Sequence, residues 1–223
     1  VVLGSIPLSN GYEAMEFMAL LVSLFVIAVA RFSPLVLPAG FLVTGFCLLV
    51  ALFGESDPPI TPLMPVLSSP LLSVHVVTIM LSYALMAIMF VISLSAIIVT
   101  HNRKCSVPLS SVETEADGVQ SSVLPEVADR LTTLNCLLLT PSVFLLAVGI
   151  FVGAVWANVS WGSYWQWDPK ETWALITLLV YSLPLHKFSK LGDQPIRFNF
   201  YLVVAFLCVL VTYFGVNYFL GGM

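Results

Sequence analysis

The chain has 223 residues, 59% of them hydrophobic and 9% charged, with a net charge of −4 and a mean hydropathy of +1.02. A soluble domain carries roughly 25% charged residues, so water is not the main solvent here. No Lys/Arg-rich patch suggests nucleic acid. With no C-x-x-C or C-x-x-C-H, the four cysteines fit neither a thioredoxin-like redox centre nor a c-type haem acceptor.

The chain opens on Val1 with no basic residue before its first apolar run, which does not read as a secretory signal peptide. A membrane span needs about 20 mostly apolar residues. Six segments qualify, near 12–30, 34–53, 70–100, 131–155, 170–187 and 198–220. The third exceeds a bilayer's thickness and is expected to tilt or protrude, and Pro141 is expected to kink the fourth. Residues 102–130 contain SSVETEADGVQSS, a composition that cannot bury a core and predicts a mobile loop. Cys47 and Cys208, inside apolar runs, read as small buried hydrophobes. The expected fold is an all-α transmembrane bundle forming a single domain over 1–223.

Basic residues set the orientation. Arg31, Arg103, Lys104, Arg130, Lys187, Lys190 and Arg197 all fall on one side of a six-span scheme, and Lys170 alone on the other. The basic side is read as cytoplasmic. Both termini, the 54–69 loop and the 156–169 loop then face outward.

All five tryptophans lie in the run WANVSWGSYWQWDPKETW, residues 156–173. An aromatic belt is the plain interpretation, because Trp and Tyr collect at membrane interfaces. A belt, however, spreads over all helices, whereas Trp156, Trp161, Tyr164, Trp165, Trp167 and Trp173 are clustered. Such a cluster makes an apolar platform suited to stacking on a large planar ligand. Asp168, Pro169 and Glu171 fit the N-cap, N1 and N3 positions of the next helix, a capping box that holds the loop against a helix end. Lys170 either pairs with a ligand carboxylate or snorkels to the interface.

Three histidines exist. At 1.5 Å per residue, His75 sits roughly 7 Å inside the outer end of the third span, level with the tryptophan loop. His186 lies roughly 25 Å from Pro169 along the fifth, near the cytoplasmic end. Ionisable residues inside spans mark functional sites by default, and imidazole is an axial ligand of haem iron. His75 therefore reads as an iron ligand rather than a hydrogen-bonded core residue. His186 fits either a ligand or a favourable helix C-terminus, and His101 fits the latter. Neither depth holds a second histidine, so a partner ligand is expected from beyond Met223 or from another subunit, unless the iron keeps an open position.

The run Trp161-Gly162-x-Tyr164-Trp165-x-Trp167-Asp168-Pro169-Lys170-Glu171-Thr172-Trp173 resembles the tryptophan-rich WWD signature of haem-handling proteins, in the form carried by the CcsA (ResC) family of system II cytochrome c biogenesis. Pro7-Leu8-Ser9-Asn10, Ser82-Tyr83, Trp156-Ala157-Asn158 and Phe214-Gly215-Val216-Asn217-Tyr218 extend the resemblance over nearly the whole chain. It implies a bacterial inner-membrane or thylakoid protein that moves haem b outward and holds it under the WWD loop. There the vinyl groups form thioethers with the CxxCH cysteines of an apocytochrome c. By position it makes His75 a ligand of the outer haem iron and His186 a ligand of a transmembrane haem iron. A CcsB/ResB-type membrane subunit, sometimes fused to the same chain, is the implied partner. The family's second outer histidine follows the GVNY segment, and the sequence ends at Met223 before reaching one. Alternative functions are a haem transporter or chaperone without ligation activity, and a membrane electron-transfer subunit with permanent b-type haem.

Overall fold

The first two apolar runs form helices α1, Gly11–Ala30, and α2, Val36–Gly54. Both are apolar all round, the pattern of helices with protein on one side and lipid on the other. In this computed structural model they are followed by α3 (Pro70–Cys105), α4 (Glu115–Trp161), α5 (Pro169–Ser182) with a 3-10 turn at Leu183–Leu185, and α6 (Pro195–Leu210). A π-helix over Val211–Leu220 continues α6. The structure describes residues 11–54, 69–105, 115–186 and 194–220. Most of the expected 54–69 loop, and Lys187 and Lys190, lie outside them.

Among the described residues four helices are long and apolar enough to cross a membrane: Tyr12–Ala30, Pro70–His101, Glu126–Trp161 and Pro195–Val216. Val36–Leu52 is a shorter apolar helix. The chain is an all-α polytopic membrane protein.

Three segments differ from the sequence expectation. Residues 115–130, read as part of a mobile loop, are helical, so α4 has 47 residues. At 1.5 Å per residue that is about 70 Å, more than twice a hydrocarbon core of ~30 Å. Its polar extension needs no core of its own, because it continues a helix already nucleated by the apolar part. The other end of α4 runs through Trp156 to Trp161, into the stretch read as the outer loop. The fifth apolar segment is shorter than expected, because α5 gives way at Ser182 to the 3-10 turn. Pro184 explains this, having no N–H to donate to the Val180 carbonyl. That carbonyl accepts instead from the Leu183 N–H and from the Tyr201 hydroxyl of α6 at 2.7 Å.

The core centres on α3, where Met86, Ile88, Met89, Val91 and Ile92 are fully buried. Around it pack Val22 and Val26 of α1, Leu131, Leu139 and Leu146 of α4, and Leu202 and Val209 of α6. Phe90 stacks on Phe206 at 4.8 Å. On α4 the stripe Leu137, Phe144 and Phe151, spaced by seven residues, is exposed on the opposite face. In a membrane that face meets lipid.

Polar side chains join the helices where no water competes. The amide nitrogen of Asn135 on α4 donates to Ser93 Oγ on α3 and to Asn199 Oδ1 on α6, both at 2.8 Å. Asn199 in turn donates to Thr132 Oγ1 at 2.8 Å. Closer to the middle, the Ser82 hydroxyl of α3 donates to the carbonyl of Ser142, beside Pro141, at 2.8 Å.

Candidate functional site

The site lies where the start of α3 meets the end of α4. α4 stops because Gly162 takes φ +75°, a left-handed conformation open to glycine. Its N–H donates to the Asn158 carbonyl at 2.9 Å, the single-bond form of a helix C-cap. The chain then reverses and enters α5 through the capping box. The Asp168 side chain accepts from the Lys170 N–H at 2.9 Å. The Glu171 carboxylate accepts from Asp168 N–H at 3.3 Å and from Gln166 N–H at 2.9 Å. Pro169 occupies the first helical turn, where its missing N–H costs nothing.

Between the two N–H groups held by Glu171 sits Trp167, at φ +58°. A left-handed backbone costs a non-glycine residue about 1–2 kcal/mol. The carboxylate clamp on both sides offsets that cost and holds the indole outward, 72% exposed. Trp165 meets it edge-to-face at 5.8 Å, and Trp156 and Trp161 form a second perpendicular pair at 6.4 Å.

Beneath this loop is a cavity of about 540 Å³, within the range of roughly 300–1,000 Å³ that holds small molecules and cofactors. His75, Trp156, Trp161, Tyr164 and Trp165 all line it. So do Gly153, Tyr83, Gln166, Lys170, and Thr212 and Tyr213 at the start of the π-helix. Trp167 and Trp173 are not part of the lining: the first points outward, and the second lies within α5. Asp168 and Glu171 reach the rim, but their carboxylates are engaged by backbone N–H groups. His186 is elsewhere, exposed just after the 3-10 turn, and His101 is exposed near the far end of α3.

His75 is held by the backbone of α4. Its Nδ1 lies 2.7 Å from the Gly149 carbonyl. A carbonyl can only accept, so Nδ1 carries the proton, and in the neutral ring Nε2 keeps its lone pair. Metal-binding histidines are commonly fixed in this way, with the other ring nitrogen donating to a backbone carbonyl. Among the described residues no three His, Cys, Asp or Glu side chains converge to hold a bare ion. A lone imidazole beside an aromatic wall suits iron already carried in a macrocycle. The buried Trp156 indole N–H, which has no protein partner, and Lys170 fit the carboxylates of such a ligand.

Sequence reasoning did not single out Thr212, Tyr213, Gly149 or Gly153, and it named Tyr83 only within the family resemblance, not as a site residue. For the glycines a signal existed, Gly149-x-x-x-Gly153, the small-xxx-small spacing at which membrane helices approach closely. A second chamber of about 470 Å³, walled almost wholly by apolar side chains of α1, α2, α3 and α6, abuts the first. Met80, Tyr83 and Tyr213 line both.

The sequence profile of the family described as cytochrome C assembly protein matches residues 8–223. The chain is 36% identical to a protein named cytochrome c biogenesis protein CcsA from Parasynechococcus marenigrum, over 96% of its own length and 75% of the relative's. Its identity to the protein of the same name from Mesostigma viride is 33%, covering 95% and 74%. Protein NrfI of Wolinella succinogenes is 34% identical over 99% of this chain but only 23% of that much longer protein. A profile match over nearly every residue, with relatives above 30% identity across most of their length, places the chain in the cytochrome c assembly protein family, on its CcsA branch.

Proposed function

We propose that this protein presents haem b at the extracytoplasmic face of a bacterial inner membrane or a thylakoid for attachment to apocytochrome c. The observation that carries this reading is the His75 imidazole, its Nδ1 2.7 Å from the Gly149 carbonyl, in a cavity also walled by Trp156, Trp161, Tyr164 and Trp165. In the proposed complex His75 binds the iron, while Trp156, Trp161, Tyr164 and Trp165 pack against the porphyrin. Orientation then does most of the work. A held macrocycle with its vinyl edge turned out converts a bimolecular encounter with a CxxCH thiol pair into a positioned one. Trp167, aimed outward, would contact the arriving apocytochrome or the exposed porphyrin edge.

The six-span topology, with both termini and the WWD loop outside, belongs to the same proposal and is supported by the segregation of basic residues. His186 is proposed as a ligand of a second haem within the membrane, completed by a CcsB/ResB-type partner. The length of NrfI outside the matched region is consistent with such a partner in one polypeptide.

The test is an absorption spectrum with pyridine extraction on the detergent-purified complex, wild type against His75→Ala. The expected result is a b-type haem signal that falls in the variant. An undiminished signal would remove His75 from the iron. Incubating the loaded complex with a CxxCH peptide then separates ligation from transport, since a pure haem carrier yields no thioether.

A further inference from the structure

Two glycines one turn apart on α4 face α3 at the level of the site, and each makes a different approach possible. At Gly149, a Cβ would lie 2.6 Å from Ile79 Cδ1, 2.9 Å from its Cγ1 and 3.4 Å from its backbone nitrogen. Real Cβ atoms essentially never come within 3.0 Å of another group, as the two Ile79 side-chain carbons would, whereas 3.4 Å is ordinary contact. The bare backbone therefore lets α4 close on α3, and that brings the Gly149 carbonyl within 2.7 Å of His75 Nδ1. At Gly153, a Cβ would lie 2.5 Å from both Cε1 and Nδ1 of His75 and 3.3 Å from Nε2. The space that a side chain at 153 would occupy is filled by the imidazole ring. This is not a general property of the glycines here, since a Cβ at Gly45 on α2 would meet nothing within 4 Å.

We propose that Gly149 and Gly153 are positioning residues for haem ligation, forming a clasp on α4 that sets the place, plane and tautomer of the His75 ring. Gly149 supplies the acceptor that puts the proton on Nδ1, and Gly153 supplies the slot that keeps the ring against that acceptor. Nε2 is then the coordinating atom. A helical histidine has few rotamers to choose from, because one χ1 well collides with the preceding turn. A ring displaced from the slot thus loses the carbonyl and its fixed tautomer together. The inference rests on the reading of His75 as an iron ligand, and it adds that the ligand's geometry is dictated by the backbone of the neighbouring helix.

The test is a double-variant cycle on the full chain in detergent, read by thermal unfolding without haem and by the absorption spectrum with haem. Gly153→Ala is compared in two backgrounds, wild type and His75→Ala, with Gly45→Ala as a helical control. The clasp predicts that Gly153→Ala lowers the unfolding midpoint when the imidazole is present and has no effect once it is removed. Haem content in Gly153→Ala is expected to fall at least tenfold, to the level of His75→Ala. Equal destabilisation in both backgrounds would overturn the proposal, because the glycine would then serve helix contact alone. Coupling in the unfolding cycle with an unchanged haem spectrum would leave the packing intact but remove His75 from the iron, overturning the proposed ligand role. Should Gly153→Ala fail to accumulate, isotope-labelled histidine in the wild-type protein decides by magnetic resonance, with only three histidines to resolve. A proton on Nδ1 of His75 supports the clasp, and a proton on Nε2 overturns it.

Discussion

Trp156 differs from the other four tryptophans of residues 156–173 in having a buried indole N–H with no protein partner. A buried donor left unsatisfied costs about 1–3 kcal/mol, and on the proposed function a haem carboxylate would accept from it. Replacing Trp156 with Phe keeps an aromatic face and removes the donor. Haem retention is expected to weaken about tenfold, the equivalent of ~1.4 kcal/mol for one charge-assisted hydrogen bond. Titration of haem into Trp156→Phe and wild type measures it, and equal affinities would mean that the N–H meets water instead. Glu171 is the second residue whose role is local and testable. Its carboxylate holds the N–H groups on either side of Trp167, so Glu171→Ala should destabilise the α5 start by about 1 kcal/mol. It should also relax Trp167 out of its left-handed conformation, which its accessibility to a fluorescence quencher would report. The capping box was legible in the sequence because all its partners lie within a few residues of one another. The His75–Gly149 bond was not, because it depends on which turn of α4 meets which turn of α3.

At the level of elements, the polar link among Asn135, Ser93 and Asn199 ties α4 to α3 and α6 far from the cavity. Asn135→Leu would remove the shared donor and leave the Asn199 carbonyl oxygen without this partner. Interhelical hydrogen bonds in membranes are worth about 0.6 kcal/mol on average and up to ~1.7. A fall of that size in unfolding free energy, with haem content per folded protein unchanged, is the expected result. Haem loss at constant stability would show instead that this network communicates with the site. Helix lengths were only partly legible. Hydropathy locates apolar stretches, but the polar residues from Glu115 onward extend α4 by continuing an existing helix, and the Glu126–Arg130 pair on its exposed surface at 2.7 Å adds little. Hydropathy carried the fifth span on to 187, past Pro184, whose missing N–H ends α5 in the 3-10 turn.

For the whole molecule, the fold class and the family resemblance were the most legible features, because composition and a dense aromatic motif are independent of tertiary detail. Orientation is the property best tested at this scale. A cysteine introduced at Gln166 in a background lacking the native cysteines should react in intact cells with a membrane-impermeant maleimide. One introduced at Asp129 should react only after the membrane is opened. The reverse pattern would invert the topology and place the WWD loop inside.

Among the described residues no cysteine lines the His75 cavity: Cys136 and Cys208 lie outside both chambers, while Cys47 lines only the apolar one. On the proposed function the guest carries alkenes that add a thiol directly, with the S–H bond opening across the C=C bond and no oxidant consumed. On that proposal, a cavity whose described lining has no sulfur nucleophile would not become its own acceptor, and the same protein molecule would serve one apocytochrome after another. Converting Ala157, a buried residue of the lining, to cysteine should turn the carrier into a trap, recovered as a chain with haem bound through a thioether that survives acid extraction.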